Sequence, residues 1–196
     1  MKKQTNNSLR AFIAITFLAN LFTMTACKEG KKPIPEATHT QTKVKAPQID
    51  IHTAVMTDNM EALKQHIAAG SNLNEKDPLG GSSPLISASL FGKTAIAKML
   101  IEAGADLNFQ NNDGSTALHT ASFFCRPEIV RMLLNKGADK AIKNKYGGTA
   151  YQSVAGPFAE VKASYDALGK MLEPMGLKLD YSYLEKTRPE IAAMLK

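Results

Sequence analysis

Tryptophan is absent from the 196 residues, and cysteine occurs only twice, at Cys27 and Cys125. Two cysteines are too few for a disulfide scaffold and too few for a zinc cage. Catalytic signatures are missing as well. None of the four histidines stands in an H-E-x-x-H or Cys/His ligand spacing. No G-x-S-x-G elbow, dinucleotide fingerprint or P-loop occurs, since Leu79-Gly80-Gly81-Ser82 lacks the lysine a phosphate loop needs. With 18 carboxylates on the chain, some acid pair can always be assembled, so such a pair carries no information. These gaps point away from an enzyme, a metal site and any cofactor. The 44% hydrophobic and 21% charged content is ordinary for a globular protein. Wholesale disorder, collagen-like and multi-span membrane architectures are thereby disfavoured. The length suits one domain with appendages.

The appendage is N-terminal. Met1 to Arg10 carries Lys2, Lys3 and Arg10 with no acid, and Ala11 to Ala26 is almost wholly apolar. That run is 16 residues with Asn20 inside it, short of the roughly 20 a spanning helix needs. A basic start, a short apolar stretch and small residues before Cys27 predict a secretory signal over 1–26. A retained anchor helix is the alternative. Met24-Thr25-Ala26-Cys27 resembles the bacterial lipobox, which implies a diacylglyceryl group on Cys27 and removal of what precedes it. Met24 stands where leucine is usual; secretion with an unmodified Cys27 is the other reading. Residues 28–48 hold Pro33, Pro35 and Pro47, several lysines, and only Ile34 and Val44 as larger aliphatics. Such a segment cannot bury enough apolar area to offset its ordering entropy. It is expected to be a flexible tether spanning roughly 25 Å root-mean-square.

The body repeats itself. Gly114-Ser115-Thr116-Ala117-Leu118-His119 has counterparts 33 residues earlier, Gly81-Ser82-Ser83-Pro84-Leu85-Ile86, and 33 later, Gly147-Gly148-Thr149-Ala150-Tyr151-Gln152. Ala103-Gly104-Ala105-Asp106-Leu107-Asn108 is echoed at Ala69–Asn74 and at Lys136–Ala141. In the copy from Asn111 to Lys143, a short helix is expected over Thr116 to Phe124. Pro127 opens the next helix, where its missing N–H costs nothing. Ile129, Val130, Leu133 and Leu134 follow at helical spacing, and Gly137 ends the helix. Ile96, Ala97, Leu100 and Ile101 repeat that stripe, and Ala62, Leu63, His66 and Ile67 precede it. No single helix pair can bury such a face, so the pairs must stack.

These motifs resemble the ankyrin repeat, with T-P-L-H opening a first helix and L-L-x-x-G-A-D closing a second. The resemblance covers roughly residues 49–180 and implies an all-α solenoid of about four repeats, the terminal ones degenerate. Repeat four is expected to lengthen its second helix, because Phe158, Val161, Tyr165, Leu168 and Leu172 form an amphipathic stripe stopped by Pro174 and Gly176. Ser182…Glu185 and Thr187…Glu190 are spaced as capping boxes, predicting short capping helices over 181–196.

The resemblance implies a structural role for His52 and His119, placed at one repeat position, as bonds to loop backbone. His66 fills a slot held elsewhere by Leu100 and Leu133, which suits packing better than metal ligation; His39 lies in the tether. Cys125 sits in an inter-helix turn beside Arg126, which would lower its thiol pKa and permit redox chemistry; a small residue tolerated in a tight turn is the alternative. Ankyrin proteins recognise partners through hairpin tips and the outer positions of first helices. Carried onto this chain, those positions are Leu79, Ser82, Leu90, Phe91, Gln110, Asn112, Asp113, Ser115, Phe123, Phe124, Lys143, Lys145 and Tyr146. For the aromatics, packing against a neighbouring repeat competes with binding.

The expectation is therefore a monomeric, non-catalytic module that binds a protein. It would be lipid-anchored to a membrane of the bacterial envelope, the outer one favoured, with its domain in the periplasm or at the cell surface. An inhibitor or immunity partner that occludes a toxin or enzyme is the alternative, and an envelope enzyme with an unrecognised site is a third. The formal charge of +6 resides in the appendage: 1–26 and 27–49 contribute +3 each, and 50–196 balance 16 bases against 16 acids. Net charge gives the body no reason to bind nucleic acid.

Overall fold

A computed structural model describes residues 44–196. The signal, Cys27, His39 and most of the tether lie outside the described residues. Within them the chain forms nine α-helices and no strand, with one 3₁₀ turn at Glu173–Met175. They are α1 (Ile51–Met56), α2 (Met60–Ala68), α3 (Pro84–Phe91), α4 (Thr94–Glu102), α5 (Ala117–Phe123), α6 (Pro127–Asn135), α7 (Gln152–Ala155), α8 (Phe158–Leu172) and α9 (Tyr181–Leu195).

The first helices α1, α3 and α5 each begin on a residue whose side chain satisfies an orphan N–H group. Asp50, Ser83 and Thr116, 33 residues apart, accept from the backbone of Thr53, Ile86 and His119. In repeat four Thr149 and Gln152 exchange reciprocal bonds, Thr149 N to Gln152 Oε1 at 2.7 Å and Gln152 N to Thr149 Oγ1 at 3.4 Å. This is a capping box with glutamine where repeat three uses histidine. Pro84 and Pro127 occupy first helical turns, as expected.

The first helices α1, α3, α5 and α7 stack in one layer, and α4, α6 and α9 stack in the other, with α2 packed on α1. Between the layers Leu63, Leu85, Ile96, Leu100, Leu118, Ile129 and Leu133 are fully buried. Each such side chain contributes about 1.5–3 kcal/mol through burial.

The C-terminal end departs from the sequence expectation in two respects. Residues 181–196 form one helix rather than several: α9 starts on the Asp180 cap, and both Thr187 and Pro189 lie inside it. It also takes the outer position of repeat four, packing on α6 and α7 and burying Leu184, Ile191 and Leu195. The amphipathic α8, expected in that position, is instead an insertion between the two helices of the repeat. Arg188, 2% exposed, fastens this end. Its guanidinium donates to Ser153 O at 3.0 Å, Gly156 O at 3.1 Å and the Tyr165 hydroxyl at 3.2 Å. It thereby caps the C-terminal carbonyls of α7 from α9 and holds α8 through Tyr165.

Candidate functional site

The most exposed large hydrophobic side chains among the described residues belong to the hairpins between repeats, and a recurring acceptor seats each hairpin. Asp77 accepts from the N–H groups of Leu79 (2.8 Å), Gly80 (2.7 Å) and Ser82 (2.6 Å). Burial pushes its carboxyl pKa up, but these backbone donors prevail and hold it below the usual carboxylate value. Asn111 Oδ1 accepts from Asp113 N and Ser115 N at 3.0 and 2.9 Å. Asn144 Oδ1 accepts from Tyr146 N and Gly148 N, both at 3.1 Å. These three residues stand 34 and 33 apart in sequence. That spacing was open to sequence reasoning, which missed them.

The seated loops are laced to one another. Asn112 N donates to Gly80 O at 2.9 Å, and Lys145 N donates to Asp113 O at 2.8 Å. A second rung pairs Asp106 N with Asn74 Oδ1 and Asp139 N with Asn108 Oδ1, both at 2.9 Å. Gln110 Nε2 bridges Gly114 O (2.6 Å) and Lys143 O (3.2 Å). The row is therefore held by hydrogen bonds within and between its hairpins, and it presents Leu79 at 82% exposure and Tyr146 at 80%. Tyr146 leans on Asp113, its hydroxyl 3.4 Å from Oδ1, and Asn112, Lys143 and Lys145 stay exposed beside it. Of the expected surface, Leu79, Ser82, Gln110, Asn112, Asp113, Ser115, Lys143, Lys145 and Tyr146 share this row.

The remaining positions lie elsewhere. Leu90 and Phe91 are half-buried at the far end of α3, about 12 Å from its hairpin end at 1.5 Å per residue. For Phe123 and Phe124, where packing competed with binding, the structure shows packing. Phe124 is 5% exposed, and Phe123 stacks on Tyr165 of α8 with ring centroids 4.4 Å apart. The inserted helix covers them, which spacing within the repeats does not reveal.

The reading of Cys125 is corrected. Its thiol is 1% exposed and lies 3.6 Å from Leu184 O. Burial pushes its pKa up to about 11, against smaller opposing pulls from Arg188 and Arg126. The guanidinium expected to activate it is turned to other work: Arg126 Nη2 donates to Leu90 O at 3.3 Å. A buried, protonated thiol has neither the access nor the charge state for redox exchange.

The histidines serve the backbone. His119 Nε2 meets Gly148 O at 3.1 Å, while Nδ1 accepts from Thr116 N at 3.2 Å. The peptide N–H thus fixes the neutral tautomer with its proton on Nε2. His52 Nε2 meets Glu75 O at 3.0 Å. It lies two residues after its N-cap and His119 three, so the two are equivalent only when counted back from the second helices. His66, buried, ties Ile49 O (2.9 Å) to Ser71 Oγ (3.0 Å) and has both ring nitrogens engaged. Among the described residues no group of three or more His, Cys, Asp or Glu could hold a metal ion. None of the described helices is long and apolar enough to cross a membrane.

Comparison with known proteins agrees with this geometry. Residues 51–144 match the family described as ankyrin repeats, in three copies. The chain is similar to the human DNA-binding protein RFXANK, 38% identical over 58 residues, covering 30% of this chain and 22% of that protein. It is also similar to protein phosphatase 1 regulatory subunit 27 of human and mouse, each 36% identical over 64 residues, covering 33% of this chain and 41% of that protein. The chain thus spans less than half the length of these relatives. Among solved structures, the ankyrin repeat domain of Bcl-3, of the IkappaB protein family, superposes with a TM-score of 0.51 at 33% identity. That match covers 53% of this chain and 45% of the other. Residues 51–144 are ankyrin repeats, and the described chain is an all-α ankyrin solenoid.

Proposed function

We propose that this protein is a non-catalytic protein-binding module, lipid-tethered through Cys27 in a bacterial envelope. The observation that carries the binding role is the hydrogen-bonded hairpin row with Leu79 and Tyr146 standing almost free in solvent. Large apolar side chains held out by a hydrogen-bonded backbone bind without a further cost of ordering the loop. The tether reading rests on the lipobox-like Met24–Cys27 and on the lysines after it, which would favour anionic headgroups.

The test is crosslinking in cells with a photoreactive residue at Leu79 or Tyr146, against controls at the exposed outer-helix positions Lys98 and Arg131. One discrete adduct at the tips and none at the controls is expected. Equal labelling at both would remove the surface assignment. For the tether, Cys27→Ser should abolish membrane fractionation; unchanged fractionation would remove the lipoprotein reading.

A second reading is an occluding inhibitor, favoured by the similarity to chains named as phosphatase regulatory subunits. It requires the captured partner to lose activity on binding, whereas scaffolding leaves that activity intact.

A further inference from the structure

The solenoid closes without α8. Repeat four has its inner helix in α7 and its outer helix in α9, which packs on α6 as α6 packs on α4. Between them 15 residues of α8 bury one side chain fully, Tyr165. The helix has no side-chain N-cap, follows Gly156-Pro157, and leads through the 3₁₀ turn to Gly176, whose φ is +90°. Phe158 and Val161 are only partly buried against the core, and the helix's further contacts are to the return segment and to Tyr181, the first residue of α9. Gly169 abuts Leu179, Phe158 meets the Tyr181 ring edge-on at 6.3 Å, and Lys162 sits 5.0 Å over that ring.

What α8 covers is apolar. Tyr165 stacks on Phe123 at 4.4 Å and meets Phe124 edge-on at 6.5 Å, and its hydroxyl donates to Phe123 O while accepting from Arg188. Lifting α8 would take Tyr165 off the aromatic pair and remove one of the three acceptors of Arg188, whose bonds to the carbonyls of Ser153 and Gly156 would remain.

We propose that α8 is a displaceable strap, hooked onto the solenoid by Tyr165, that conceals Phe123 and Phe124 as a second apolar contact surface. The occupant of that surface in the closed state is α8 itself. A helix presenting an aromatic anchor is the chemistry that would replace it. This goes beyond the hairpin row, which the strap does not cover.

Native-state hydrogen exchange on the full chain tests the strap. Amides of Phe158–Leu172 are expected to exchange through an opening with weaker urea dependence than global unfolding, ahead of α4, α6 and α9. Tyr165→Ala should speed strap exchange by about 100-fold or more, the factor expected for truncating a buried aromatic, with α2 and α4 unchanged. The same variant should bind the apolar dye anilinonaphthalene sulfonate, and adding Phe123→Ala should reduce that binding. Strap amides that open only with α6 and α9 in the wild type would overturn the proposal. So would dye binding indifferent to Phe123.

Discussion

Single residues decide how the C-terminal repeat holds and how the protein answers acid. Arg188 donates to two backbone carbonyls and to Tyr165 from a buried position. Arg188→Ala leaves three acceptors without that donor and a void where the guanidinium was, costing about 3 kcal/mol. The urea midpoint should fall accordingly, and Arg188→Lys should not restore it, since one ammonium cannot reproduce the planar fork. Burial holds His119 below the ordinary 6.5, against the pull of the Gly148 and Ile142 carbonyls. The unfolded chain therefore binds this proton more readily than the native one. Its contribution is complete above pH of about 6.5 and declines as the pH falls below that value toward the native pKa. Unfolding free energies at pH 7.5 and 5.5 should differ more in the wild type than in His119→Gln. Cys125, with its pKa near 11, should react with a thiol reagent at pH 8 no faster than its surroundings open.

Among the elements, the hairpins show how space and conformation combine at glycine. Gly114 and Gly137 both take positive φ, +73° and +84°, a conformation that costs a non-glycine residue roughly 1–2 kcal/mol. A Cβ on Gly114 would stand 3.0 Å from Lys145 N and 3.3 Å from the Asn144 backbone, whereas one on Gly137 meets nothing within 4 Å. Gly114→Ala should therefore lower the melting temperature more than Gly137→Ala, and it should disturb the amide resonances of the next hairpin. The stacked pairs and their caps were legible in sequence because a 33-residue period puts Asp50, Ser83 and Thr116 in register. The end was not. The stripe on α8 is as amphipathic as that of an outer helix, and periodicity cannot say which of two such helices takes the slot. The two capping-box spacings suggested short helices in a segment that is one helix, since its burial on α6 and α7 outweighs the hydrogen bond lost at the exposed Pro189. The exposed row of hairpin tips was legible from the repeat pattern. At Phe123 and Phe124 the choice between packing and exposure was not legible, because their cover lies in the insertion, outside the repeat pattern.

At the scale of the whole molecule, net charge is concentrated in the N-terminal appendage and the body is formally neutral. Residues 50–196 carry equal numbers of acids and bases, so under the proposed function recognition would depend on shape and apolar anchors more than on long-range attraction. Its binding should consequently depend weakly on ionic strength. The hairpin row is continuous from repeat to repeat through backbone bonds, so the proposed partner would meet Leu79 and Tyr146 on one linked surface. The most direct measurement is the dissociation constant of the crosslinked partner, once purified, for the wild-type protein and for Leu79→Ser/Tyr146→Ser. Two exposed anchors of hot-spot type should together weaken binding by about 100-fold, with the fold and melting temperature unchanged. An unchanged dissociation constant would contradict the assignment of the hairpin row as the recognition surface.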